Sequence, residues 1–179
     1  MIGQRTPLIL VFLLATLRAD CLAQYPSIST DVASELRAKR AAEKKQSDEA
    51  WQQALPTIRQ WEERGKPYIP WAKHPDDLPQ APLPAFPGAQ GGGMYSFGGR
   101  GGRVFVVSNL NDRGEGSFRE ALEAGGPRFV VFNVAGIIRL KNRVIVRAPY
   151  ITIDGSSAPG DGVCIAGDTV EIDTHDVII

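Results

Sequence analysis

The sequence has little sulfur, little histidine and no excess of either charge. Its 179 residues hold two cysteines, two methionines and two histidines. With two cysteines, Cys21 and Cys164, at most one disulfide is possible, and none remains if Cys21 leaves with a signal peptide. An exported chain of this kind must draw its stability from its core. Twenty basic side chains balance twenty acidic ones. The basic excess that polyphosphate binding needs is therefore missing, and nucleic acid is not an expected partner. Past Leu17 there is no long apolar run, so no membrane span is expected after signal cleavage.

Glycine and proline are plentiful, at 19 and 13 residues. Most lie between Gly65 and Gly162, which points to many turns rather than a helical bundle. The beginning reads as a secretory signal, residues 1–23. Arg5 supplies a positive start, Pro7 to Leu17 (PLILVFLLATL) is an apolar stretch too short to span a bilayer, and Ala19, Cys21 and Ala23 are small residues before a cut after Ala23. A short membrane anchor and a lipoprotein reading through Cys21 are the alternatives. The signal peptide implies a secreted or periplasmic chain.

Four regions follow from composition: the signal at 1–23, a charged helical segment at 24–66, a proline-rich linker at 67–87 and a strand-rich domain at 88–179. Thr30 or Asp31 caps the helical segment, and Ala, Glu, Lys, Arg and Gln favour it. Between Gln24 and Lys66 eight basic residues mingle with seven acidic ones, the texture of a solvated face. Pro56 is expected to break or kink it into two helices. Trp51, Leu55, Ile58 and Trp61 recur at helical spacing and are expected to dock on the later domain. The linker carries His74, read as solvated, while Tyr68, Ile69 and Trp71 pin it to a surface.

From Gly88 onward short β-branched runs alternate with turns. Strands are expected at Val104–Val107, Phe129–Val134, Ile137–Leu140, Val144–Val146, Ile151–Ile153, Val163–Ile165, Val170–Ile172 and Val177–Ile179. One short helix follows the capping box Ser117-Phe118-Arg119-Glu120 and ends at Gly125-Gly126-Pro127. The strands are too short for a sandwich. Ile151 recurs as Val170 after 19 residues and as Val177 after 26, bracketing one turn of a three-sided parallel β-solenoid. The short helix would cover its open end and block edge pairing.

The candidate chemical groups each have a plainer explanation. The glycines at 91–93 and 98–102 lack the Lys and Ser/Thr of a phosphate loop, so they mark tight turns and close backbone approach. Glu171 and Asp173 point the same way on one strand, near Asp168 and Asp176, but calcium needs six to eight oxygens. An exposed polar face is the better reading. Asp154 and Asp161 are turn residues. Ser156 and Ser157 have no neighbouring base, and His175 no acid–nucleophile partner. Cys164, in Val163-Cys164-Ile165, reads as a buried inert thiol. Arg139, Arg143 and Arg147 read as surface basics.

Six fragments, taken in order, resemble one family. They are Ala85-Phe-Pro-Gly-Ala-Gln-Gly, Gly98-Gly-Arg-Gly-Gly-Arg-Val-Phe-Val-Val, Asn109-Leu-Asn-Asp, Gly116-Ser-Phe-Arg-Glu-Ala, Val131-Phe-Asn-Val-Ala-Gly-Ile-Ile and Ala158-Pro-Gly-Asp-Gly. Together they are similar to the N-terminal region of the pectate lyase superfamily, its bacterial branch above all, over about 95 residues from Ala85. Asp154-Gly-Ser-Ser departs from the family's more usual Ala-Gly-Gln-Thr.

The resemblance implies an all-β fold, a right-handed parallel β-helix with a capping helix at its N-terminal coils. It implies cleavage of acidic polysaccharide, polygalacturonate, by β-elimination. Taking the proton next to a uronate carboxylate builds negative charge there, so calcium and a basic side chain neutralise it. The family's base is an arginine, which ordinarily holds its proton firmly. No residue here matches the family's catalytic or calcium-binding positions, so no catalytic, cofactor-binding or metal residue is assigned. The chain is expected to be a fragment: inactive alone, prone to aggregate, and monomeric when full length. A non-catalytic solenoid that binds polysaccharide or a cell surface is the alternative.

Overall fold

The computed structural model describes residues 28–179. The expected signal peptide, Cys21 included, lies outside the described residues. The described residues divide into two units, 28–35 and Leu36–Ile179. In the first, the Ser29 hydroxyl accepts the Val32 N–H at 3.5 Å, so Ser29 rather than Thr30 caps the helix.

That helix, α1, is Thr30–Glu62. Pro56 lies inside it, against expectation, and the helix is not broken. Proline removes one backbone bond and crowds the preceding turn, a cost of about 3 kcal/mol. Docking on either side offsets that cost. Ala54 and Ile58 are buried with Ala148, and Trp51 and Tyr68 pack around them. Trp51 and Ile58 thus dock as their spacing suggested.

Eight strands follow: β1 (Arg103–Val107), β2 (Arg128–Phe132), β3 (Gly136–Arg139), β4 (Val144–Val146), β5 (Ile151–Asp154), β6 (Val163–Ala166), β7 (Val170–Ile172) and β8 (Val177–Ile178). A short helix, α2 (Phe118–Glu123), separates β1 from β2. Every pairing is parallel, and the strands fall into three sheets: β1-β2-β5-β8, β3-β6 and β4-β7. The chain visits the sheets in rotation. Ile151 pairs with Val177 and Val144 with Val170, so the repeat is the longer of the two spacings weighed.

Parallel register stacks like on like. Phe105, Val130 and Ile153 form one inward column, Ile138 and Ile165 another, Val144 and Val170 a third. Alternate residues of β2 are buried, so Val130 and Phe132 enter the core while Phe129 and Val131 face away. Each fully buried aliphatic side chain contributes about 1.5–3 kcal/mol. Phe118, Ala121 and Leu122 of α2 join this core beside β1 and β4. The Ser117 hydroxyl caps α2 by accepting the Glu120 N–H at 3.2 Å, while the Glu120 carboxylate takes the Gly116 N–H at 2.7 Å.

Two glycines of the 98–102 run explain themselves. A Cβ on Gly99 would lie 2.0 Å from the Arg128 carbonyl oxygen, and one on Gly102 1.9 Å from that of Pro127. Only glycine lets this loop lie against the start of β2.

Candidate functional site

Three regions gather polar and aromatic side chains. In the first, the turn between β7 and β8 meets the proline-rich segment. Ile69 N–H donates to His175 Nε2 at 3.0 Å. Nε2 is thus an acceptor, so the proton sits on Nδ1, 2.9 Å from the Asp176 carboxylate. Asp176 also accepts the Phe97 N–H at 2.7 Å and the Ser96 hydroxyl at 3.0 Å. Burial alone would push its carboxyl up. The bonds from His175, Phe97 and Ser96 outweigh that and hold it below the usual carboxylate range.

Around this pair, Tyr68 stacks on the imidazole and Tyr150 meets it edge-on. The Tyr150 hydroxyl donates to the Pro67 carbonyl at 2.8 Å, and burial pushes this phenol up. Lys66 lies 3.6 Å over the Phe97 ring, its ammonium lowered by burial. A cleft of about 650 Å³ opens beside them, lined by Tyr68, Trp71, Arg147, Asp173, Thr174 and His175 among others.

These contacts correct two expectations. His175 has an acid partner, but both its ring nitrogens are taken, by the Asp176 carboxylate and the Ile69 N–H, and the Ser96 hydroxyl bonds the acid rather than the imidazole, so His175 ties the segment around Ile69 to the strands. Asp176 is buried, not part of an exposed face.

The second region is the acidic patch. Glu171 pairs with Arg143 at 2.6 Å, and Asp168 with Lys39 at 2.7 Å. The bond from Lys39 holds the Asp168 carboxyl below its ordinary range. Asp173 stays exposed. Among the described residues, no group of three or more His, Cys, Asp or Glu side chains is placed to hold a metal ion. Calcium's oxygen-rich shell does not fit carboxylates already engaged by ammonium and guanidinium groups.

Arg143 and Arg147 are more than surface basics. Arg143 also faces Glu43 of α1 at 3.7 Å, and Arg147 bonds Asp48 of α1 at 2.8 Å while lying over the Trp51 ring. Asp154 does hold its own turn, accepting the Ser156 N–H at 3.0 Å. The Ser157 hydroxyl accepts the Phe132 N–H at 2.8 Å, which makes it a brace. Cys164 is exposed, because strand alternation turns it outward between Val163 and Ile165.

Two buried arginines escaped the sequence reading. Arg128 is fully buried and donates to the carbonyls of Ala121, Leu122, Gly126, Ala148 and Pro149. Burial lowers this guanidinium to about 9, still charged at neutral pH. Arg119 bonds Asp112 at 2.8 Å. Both tie α2 to the turns around it. Nothing local marks a strand-initial arginine as buried.

The third region is a cleft of about 430 Å³ between α1, α2 and β1. Trp61 and Phe105 line it with Gln53, Thr57, Arg103 and Glu123.

Parallel strands in three sheets follow the long helix α1, and α2 packs against the core they share. Its relatives place it more closely. No protein-family model matches the chain. Probable pectate lyase C of Aspergillus flavus is 53% identical over 85 residues, covering 48% of this chain and 20% of that relative. Its counterpart in Aspergillus fumigatus is 51% identical over the same length. Probable pectate lyase 5 of Arabidopsis thaliana is 32% identical over 98 residues, covering 50% of this chain and 23% of that protein. About half of this chain is therefore related to proteins named as pectate lyases, and it spans about a fifth of their length. These relatives are fungal and plant, whereas the motifs pointed to the bacterial branch. No helix among the described residues is long and apolar enough to cross a membrane.

Proposed function

We propose that this chain is the leading part of an exported pectate lyase-like protein that cleaves polygalacturonate by calcium-assisted β-elimination. On this reading the three sheets are the opening coils of a right-handed parallel β-helix, and α2 is its cap. The observation that carries the proposal is the 53% identity to a probable pectate lyase, joined to uniformly parallel pairing. The described residues supply the platform. Arg128 and Arg119 bond the cap, α1 braces the turns, and no described side chain is assigned to proton transfer or to calcium. When bound elsewhere in the complete protein, calcium would neutralise the carboxylate charge that grows as the neighbouring proton leaves.

The test is ultraviolet absorbance of polygalacturonate incubated with the full-length natural protein. Unsaturated product should accumulate and stop on chelation. Absence of such product, with the polymer bound or not, overturns the lyase reading. Bound but uncleaved polymer identifies a solenoid binder instead.

A further inference from the structure

The cleft between α1, α2 and β1 has no part in the proposed elimination, yet it is built like a saccharide site. Gly125 and Gly126 create it. A Cβ on Gly125 would lie 2.5 Å from the Ala54 carbonyl oxygen, and one on Gly126 2.8 Å from Trp61 Cδ1. These two glycines let α1 settle beside the end of α2, and Trp61, Phe105 and Arg103 share the lining of the cleft. The exposed Arg103 guanidinium lies 3.9 Å over the Phe105 ring and makes no ion pair among the described residues. Stacking fixes its plane while leaving its N–H fork free, the geometry that takes a carboxylate in two parallel bonds. Arg64, over Trp61 at 5.2 Å, adds positive charge nearby.

The negative groups in the cleft are already engaged. Glu120 holds the Gly116 N–H at 2.7 Å, and Glu123 faces Arg119 at 3.4 Å. Burial raises the Glu123 carboxyl. Gln53 and Thr57 add hydroxyl-matching donors and acceptors on the helix side. An apolar wall, hydrogen-bonding amide and hydroxyl groups and one free guanidinium together match a sugar ring bearing a carboxylate.

We infer that this cleft is an accessory binding site for a uronate-containing oligosaccharide, with Arg103 on the carboxylate and the ring against Phe105 and Trp61. The choice of a uronate rests on the proposed function; the site itself does not. Residues from Gln53 to Trp61 lie outside the part of the chain that carries the pectate lyase motifs, so the helix builds a site that those motifs do not contain.

The experiment titrates oligogalacturonate into the full-length protein with chelator present, so that no cleavage intervenes. The readout is the indole N–H resonance of Trp61, assigned by its loss in Trp61→Phe. That resonance should shift on titration, and more salt should demand more ligand. Arg103→Gln, at an exposed position that leaves the fold intact, should raise the ligand needed about tenfold, as loss of a charge-assisted pair predicts. Oligosaccharides of neutral dextran should leave the resonance unmoved. A resonance indifferent to oligogalacturonate, an unchanged titration in Arg103→Gln, or an equal response to dextran overturns the inference. Failure of the lyase assay with a shifting Trp61 signal would leave this site standing and remove only the elimination chemistry.

Discussion

One carboxylate, that of Asp176, joins three stretches of chain distant in sequence. It holds the loop at Ser96 and Phe97, and through His175 it holds the segment at Ile69. Asp176 also sits at φ 55°, a left-handed conformation that Asn and Asp tolerate best. Asp176→Asn therefore keeps the backbone while removing the charge. Hydrogen bonds to a charged partner contribute about 1.5–3 kcal/mol, so the variant should lose on the order of 2 kcal/mol in denaturant unfolding at neutral pH. The pH dependence has a definite sign. A carboxyl held below its ordinary range contributes stability that is full above its unfolded value and disappears as pH falls through the folded one. The natural protein should lose stability below about pH 4, and Asp176→Asn should show a flatter acid limb. Identical acid limbs would remove Asp176 from this role. None of this was visible in the sequence, where His175 and Asp176 are two polar residues in a turn. Their partners come from 79 to 106 residues away, and no local pattern encodes such distances.

Among the elements, α1 shows what local rules miss. The strands were legible because short β-branched runs between glycines admit little else, and only their ends moved by a residue or two. The cap of α2 was legible because Ser117 and Glu120 carry a local code. Pro56 was misread because the rule weighs one lost bond and the docked face outweighs it. Cys164 was misread because an apolar run on a strand has two faces, and only register tells which is buried. Docking of α1 rests on Ile58, which is 3% exposed. Ile58→Ala should cost about 2–4 kcal/mol of that docking. The expected readout is proteolytic cleavage within residues 36–62 while the sheet region resists digestion. Uniform loss of protection across the chain would show instead that helix and sheets unfold as one unit.

At the scale of the whole molecule, everything depends on parallel stacking of successive passes. It aligns the inward columns, seats α2 beside β1 and β4 and brings turns from different passes under α1. The three-sided reading rested on spacing alone, and the candidate sites did not: they arise between passes, where spacing says nothing. The stacking itself is open to a covalent test. Ile137 and Cys164 are paired neighbours on β3 and β6, both facing outward. Neighbouring strands lie about 4.8 Å apart, within the range that a disulfide bridges. In a Cys21→Ser background, Ile137→Cys should form a disulfide with Cys164 on mild oxidation. Arg139→Cys, which pairs instead with Ala166, should leave Cys164 free. Peptide mapping that finds the 137–164 bridge and no 139–164 bridge is the predicted result. A preference for 139–164, or no bridge in either variant, would contradict the parallel register and the account built on it.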